Sequence, residues 1–227
     1  MFNHDITYYI CLIPIVLLSL AFHEFSHAFV SNKLGDPTAR NAGRLTLNPI
    51  RHLDPLGTLM IIVSSLQGFG FGWAKPVPIS PRYYKNARSG TMLVSLAGPL
   101  SNLLLAFIFA FPFFYYREAW NPDILSNTAL NFHKSLIQLS TLGLFINLSL
   151  AVFNLIPVPP LDGSKILSGF LPSKYYFKMM QYENYIGLIF LAIILIRPGL
   201  ISAILGPVVD FLISIFKIVI VPIVRLL

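Results

Sequence analysis

"LSLAFHEFSHAFV", residues 18–30, sets two histidines and a glutamate inside an otherwise apolar run. Hydrocarbon accepts such groups only at a cost on the order of several kcal/mol unless they are satisfied, so His23, Glu24 and His27 mark work done inside a bilayer. Residues i and i+4 of a helix share a face, and His23 and His27 can therefore aim their imidazoles at one metal ion. Glu24 lies about 100° round the helix from His23, within reach of a water on that metal and badly placed to be a third ligand. This spacing is a two-toothed zinc clamp with a general base beside it. Buried histidines that only hydrogen-bond to a neighbouring helix are the simpler alternative, and the i, i+4 pair with a glutamate between argues against it.

The rest of the chain fits a membrane setting. Of 227 residues, 56% are hydrophobic and 11% charged, and the mean hydropathy is +0.72, outside the range of soluble domains. These values predict one integral membrane domain over 1–227; the apolar runs described below make it all-α, with a core expected at 8–167 and C-terminal helices at 183–227. The net charge of +7 does not point to nucleic acid, because the sixteen Lys and Arg are scattered between apolar runs and form no patch. They serve as topology determinants facing anionic lipid. The single cysteine, Cys11, excludes a disulfide framework or a thiolate cluster within the chain, leaving His, Asp and Glu to hold a metal. The first apolar run resembles a signal peptide ending in "SLA" at 19–21, but "MFNHD" carries no Lys or Arg, which favours a retained helix.

Apolar runs of spanning length lie near 8–30, 91–116, 135–157 and 200–220, with a shorter one at 183–197. The segment 56–73 is short and ends in Gly68, Gly70 and Gly72. Were it to span, Lys and Arg would divide nine against seven; were it to dip and return, thirteen would face three. The cytoplasmic excess of positive charge favours the second arrangement. The expected architecture is five spanning helices plus one re-entrant segment, with a possible short β-hairpin, an outside N-terminus and an inside C-terminus.

A catalytic zinc normally takes three protein ligands, and the His pair supplies two. The third is sought in "FNLIPVPPLDGSKIL", residues 153–167, where Pro157, Pro159 and Pro160 stop the preceding helix and are expected to send the chain on in an extended form. Asp162 follows, with Gly163 allowing a sharp turn. An Asp-Gly after prolines is most often a turn or a helix N-cap. Here, however, the topology puts Asp162 at a depth similar to that of His23 and His27, near the cytoplasmic side. His52 and Asp54 are read as hydrogen bonders within a basic loop.

With these residues in place, the sequence resembles the site-2 protease family of intramembrane zinc metalloproteases, peptidase family M50, in its short form without a PDZ domain. The resemblance rests on "HEFSHA" at 23–28, "GRLTLNPIRHLDP" at 43–55, "GWAKPVPI" at 72–79, "AGPLSN" at 97–102 and "NLIPVPPLDG" at 154–163. It implies a three-helix core at 8–30, 91–116 and 135–157, one Zn2+ per chain on His23, His27 and Asp162, and Glu24 as base. It further implies a role near the reacting carbonyl for Asn154 and for Asn102. The expected substrate is a transmembrane protein, trimmed beforehand by another protease, and the expected location a prokaryotic cell (inner) membrane. Ala74, Lys75, Pro76 and Val77 are candidates for an extended edge that pairs with an unwound substrate, with alternate positions pairing because Pro76 and Pro78 lack donors; a tight re-entrant turn without substrate contact is the alternative. Two rivals are a catalytically silent zinc-binding membrane protein and an ion or metal transporter. The first has no need of Glu24; the second predicts polar residues along several helices and an internal repeat.

Overall fold

The computed structural model describes residues 6–66, 73–118, 127–172, 174–175 and 181–226. Eight helices carry the argument: α1 (Ile6–Lys33), α2 (Thr38–Asn41), α3 (Pro55–Leu66), α4 (Ala87–Glu118), α5 (Asn127–Asn154), α6 (Asp162–Ser168), α7 (Glu183–Ile196) and α8 (Pro198–Val224). Four stretches, Thr7–Lys33, Ala87–Glu118, Phe132–Asn154 and Gly199–Val224, are long and apolar enough to cross a bilayer, as expected of a multi-pass membrane protein.

The expected three-helix core is α1, α4 and α5. α1 and α5 both run antiparallel to α4: His27 meets Val94 while Ser19 meets Asn102, and Asn147 meets Asn102 while Gly143 meets Phe109. α8 runs in the same direction as α4, since Phe107 packs on Phe216 with ring centroids 5.2 Å apart and Glu118 pairs with Arg225 at 2.7 Å. Ala106, Ala110 and Phe114 of α4, Leu144 of α5, and Ile220, Val221 and Val224 of α8 close this end of the bundle.

Three expectations change. The fifth crossing, at 183–197, is replaced by α7, whose fourteen residues reach about 21 Å at helical rise, short of the ~30 Å hydrocarbon core. α7 lies against the proline loop instead, with Gly187 close to Pro159 and Pro160 and Phe190 beside Phe153. With one crossing fewer, the end of α8 lies at the Glu118 end of the bundle, on the same side as the start of α1, and the C-terminus does not return to the opposite face. Nor does the chain run extended after α5. The N–H groups of Val158 and Leu161, which the prolines leave available, bond back to the Ile156 and Val158 carbonyls at 2.8 and 3.0 Å and fold 155–161 into turns.

The segment 56–73 behaves as a dip at its ends. Leu53 faces Ala74 in an antiparallel bridge and the Lys75 N–H donates to the His52 carbonyl at 2.9 Å, so the chain leaves and returns at one place. Its rising limb is α3, twelve residues and about 18 Å long, too short to span. Residues 67–72 of this segment lie outside the described residues, and among the described residues the expected β-hairpin reduces to the single bridge.

Candidate metal centre

α1 carries His23 and His27 one turn apart, and their Nε2 atoms lie 3.0 Å from each other. Asp162, the first residue of α6, brings its Oδ2 to 3.1 Å from both. Its carboxylate does not cap α6, whose N-cap position is Leu161 without a side-chain bond. Gly163 makes the approach possible: a Cβ there would lie 2.3 Å from the Leu155 carbonyl oxygen and 2.4 Å from that of Ile156. All three ligand candidates are buried.

The hydrogen atoms on the rings can be assigned from their partners. His27 Nδ1 lies 2.6 Å from the Val94 carbonyl, which can only accept, so Nδ1 carries a hydrogen, and in the neutral ring Nε2 presents a lone pair. His23 Nδ1 lies 2.7 Å from Asn102 Oδ1 and, when neutral, has the same tautomer. With both rings neutral, two lone pairs and a carboxylate oxygen converge, a donor set suited to a cation; with a ring protonated, the same 3.1 Å contacts are ion pairs to Asp162. Tetrahedral zinc with bonds of about 2.0–2.1 Å needs ligand atoms about 3.3 Å apart, a small opening from the observed triangle. Space for the ion comes from α4. Gly98 faces the triad, and a Cβ on it would lie 2.5 Å from His27 Nε2 and 2.6 Å from His23 Nε2. The donor set, the tautomers and this cradle all fit zinc.

Glu24 is half-buried beside the triad, and its Oε2 accepts the Val77 N–H at 2.9 Å, the one hydrogen bond made to it by the described residues. The segment 74–77 is thus tied to α1 through the expected base. Arg44 Nη2 donates to the Lys75 carbonyl at 2.6 Å, so the backbone of Lys75 is gripped on both sides by the 43–55 motif. The donors that Pro76 and Pro78 leave at the alternate positions, Lys75 and Val77, are therefore already occupied within the protein and do not serve as the expected pairing edge.

The two asparagines part company. Asn102 is fully buried and holds His23, while Asn154 donates to the Leu150 carbonyl of its own helix at 2.9 Å and makes no hydrogen bond to the triad. His52 Nε2 binds the Thr46 carbonyl at 2.8 Å, and Asp54 Oδ1 accepts the Gly57 N–H at the start of α3; both act within the loop. Sequence reasoning passed over Gly98 and Asn147. Gly98 sits inside the quoted "AGPLSN", and Asn147 is an isolated amide in "LGLFINLSLAVF", where intramembrane polarity by itself marks function.

The model of "Peptidase family M50" matches residues 123–196, a stretch that includes Asp162. YwhC of Bacillus subtilis (strain 168) is 41% identical over 199 residues, covering 88% of this chain and 85% of that protein. Rip2 of Mycolicibacterium smegmatis is 30% identical over 81% of this chain and 66% of its own length, and MJ0611 of Methanocaldococcus jannaschii is 31% identical over 73% of each. The names of all three describe candidate zinc metalloproteases. No solved structure matches the chain. With its triad, its membrane helices and its similarity to YwhC, the chain belongs to peptidase family M50 and is a zinc metalloprotease.

Proposed function

We propose that this protein hydrolyses peptide bonds within or near the transmembrane segments of membrane-protein substrates. One observation carries the reading: the triad and Glu24 lie inside a bundle of membrane-crossing helices, so a bond that reaches them must come from a chain at membrane depth. His23, His27 and Asp162 would hold the zinc, which when bound would supply Lewis acidity and acidify water. Glu24, anchored through Oε2 by Val77, keeps its other oxygen for a water proton and can return that proton to the leaving amine.

The charge distribution supports a triad near the cytoplasmic side. Among the described residues, Lys33, Arg40, Arg44, Arg51, Lys75, Arg82, Lys85, Arg88, Lys165, Lys174 and Arg197 lie on the triad's side of the four crossings, and Arg117, Lys134, Lys217 and Arg225 on the other. Eleven against four is the bias that orients a protein in a prokaryotic cell membrane. In a Cys11→Ser background, cysteines at Asn86 and Leu226 should label from opposite faces; labelling from one face would restore the fifth crossing.

The test of function is Glu24→Gln in proteoliposomes containing a single-pass substrate. Cleavage should fall below detection while zinc remains near one per chain, because the residue moves a proton and does not coordinate. Undiminished cleavage, or loss of the metal, would overturn the assignment.

A further inference from the structure

The reading above gives no task to an amide buried one helix beyond the triad. Asn147 of α5 is wholly buried; its Nδ2 donates to the Gly143 carbonyl at 2.8 Å, and its Oδ1 accepts Asn102 Nδ2 at 3.0 Å. Asn102 Nδ2 also reaches the Ser19 carbonyl at 3.2 Å, and its Oδ1 accepts from His23 Nδ1 at 2.7 Å. The Gly143 and Ser19 carbonyls can only accept, so they fix which end of each amide is nitrogen. Read from Gly143 inward, every bond has one permitted direction, and the series ends with the hydrogen on His23 Nδ1 and the lone pair of Nε2 facing the triad. His27 receives the same constraint in one step from the Val94 carbonyl.

We propose that Asn147 is a positioning residue of the metal site, setting the tautomer and ring orientation of His23 through Asn102. The inference rests on the zinc reading of the triad. Without Asn147, only the longer 3.2 Å bond to the Ser19 carbonyl opposes turnover of the Asn102 amide, and in the turned-over fraction Nδ2 is presented to His23 Nδ1. That nitrogen must then accept, and the ring hydrogen moves to Nε2, where it competes with the metal. Removing such an outer partner of a metal-bound histidine typically weakens affinity about 10–100-fold. The competing role for Asn147 is a plain hydrogen-bonded link between α4 and α5.

Chelator competition on the full-length protein in nanodiscs separates the two roles. Zinc dissociation constants are measured for the wild type, Asn147→Leu, Asn147→Ser, Asn102→Leu and the Asn102→Leu/Asn147→Leu double variant. Leu148→Ala, also fully buried on α5, serves as the packing control. Asn147→Ser can bond back along its helix, as Ser19 does to Ile15, but is too short to reach Asn102; it decides the matter if the leucine variant does not fold. Both Asn147 variants should bind zinc about 10–100-fold more weakly. The double variant should bind no more weakly than Asn102→Leu alone, because the effect passes through Asn102. Leu148→Ala should lower the unfolding temperature and leave zinc affinity within about twofold. Wild-type affinity in the Asn147 variants, additive losses in the double variant, or an equal loss in Leu148→Ala would overturn the proposal. If the wild type binds zinc no better than Asp162→Ala, it is the reading of the triad that fails.

Discussion

The two ends of the α4–α5 pair are built from opposite chemistry on the same two helices. Toward the triad, the contact is made by Asn102 and Asn147, with hydrogen bonds that each have a direction, while Gly98 of α4 faces His23 and His27 of α1. Toward Glu118 it is made by Ala106, Ala110, Phe114 and Leu144, joined by Ile220 and Val224 of α8. Within that apolar stretch sits Gly143, whose carbonyl serves Asn147 and whose missing side chain makes room for the Phe109 ring; a Cβ there would lie 2.3 Å from that ring. In lipid, apolar side chains gain little by leaving a hydrocarbon solvent, so the apolar end coheres through close packing. The polar end gains definite orientation, because an unsatisfied amide or imidazole has no water to turn to. One end sets what the protein does, the other how well it holds together, and substitutions should separate the two.

The largest separation is expected at Gly98. Gly98→Ala puts a methyl where the ion is proposed to sit, so zinc content should fall from one per chain to near zero and cleavage below detection. The methyl also crowds the two rings, an overpacking that typically costs about 1–3 kcal/mol against a helix-propensity gain of roughly 1 kcal/mol, so the metal-free protein should be no more stable than metal-free wild type. Elemental analysis beside thermal unfolding checks both halves; a zinc-replete Gly98→Ala protein would remove the cradle from the account.

Leu144→Ala probes the apolar end. It should destabilise the bundle by about 2–5 kcal/mol, as cavity-forming changes do, with zinc affinity within about twofold of wild type. A zinc affinity that falls in step with stability would mean the two ends are not independent. Asp54→Ala should have a smaller effect, about 0.5–2 kcal/mol of local stability from the lost cap on α3, with the metal retained. Loss of zinc in this variant would move the third ligand away from Asp162.

The smallest effect lies outside the bundle. Burial of Asp36 would raise its pKa, but bonds from the Thr38 side chain, the Ser80 and Thr38 N–H groups and Ser31 together hold it below the ordinary carboxylate range. A folded pKa below the unfolded one adds stability above about pH 4, and this is lost as pH falls through the folded value. The difference in stability between wild type and Asp36→Asn should therefore be flat from pH 5 to 8 and shrink in stronger acid; a difference that grows on acidification would reverse the sign.

The polar end was also the legible one. His23, Glu24 and His27 declare themselves by helical spacing, and Asp162 was found from prolines and charge counting without any contact known. The re-entrant course of 56–73 came from the same counting, and the Leu53–Ala74 bridge accounts for it at its ends. The apolar end gave no such signal. Nothing in a run of Ile, Leu and Val says whether fourteen residues cross or lie along the bundle, so α7 was counted as a crossing and the C-terminus assigned to the wrong face. The family resemblance pointed to Asn102 as a residue near the reacting carbonyl; its bond to His23 depends on the antiparallel packing of α1 on α4, which no local spacing encodes. The bonds of Lys75 and Val77 were illegible for the same reason, because their N–H partners come from distant parts of the chain.

The central claim is that one zinc sits among His23, His27 and Asp162, and zinc-edge X-ray absorption on the purified wild type and Asp162→Ala tests it most directly. The account predicts one zinc per chain in the wild type, bound by nitrogen and oxygen at about 2.0–2.1 Å with no sulfur. It predicts that Asp162→Ala loses the metal or that its coordination shell changes. A sulfur ligand, or an unchanged shell at full occupancy in Asp162→Ala, would contradict it.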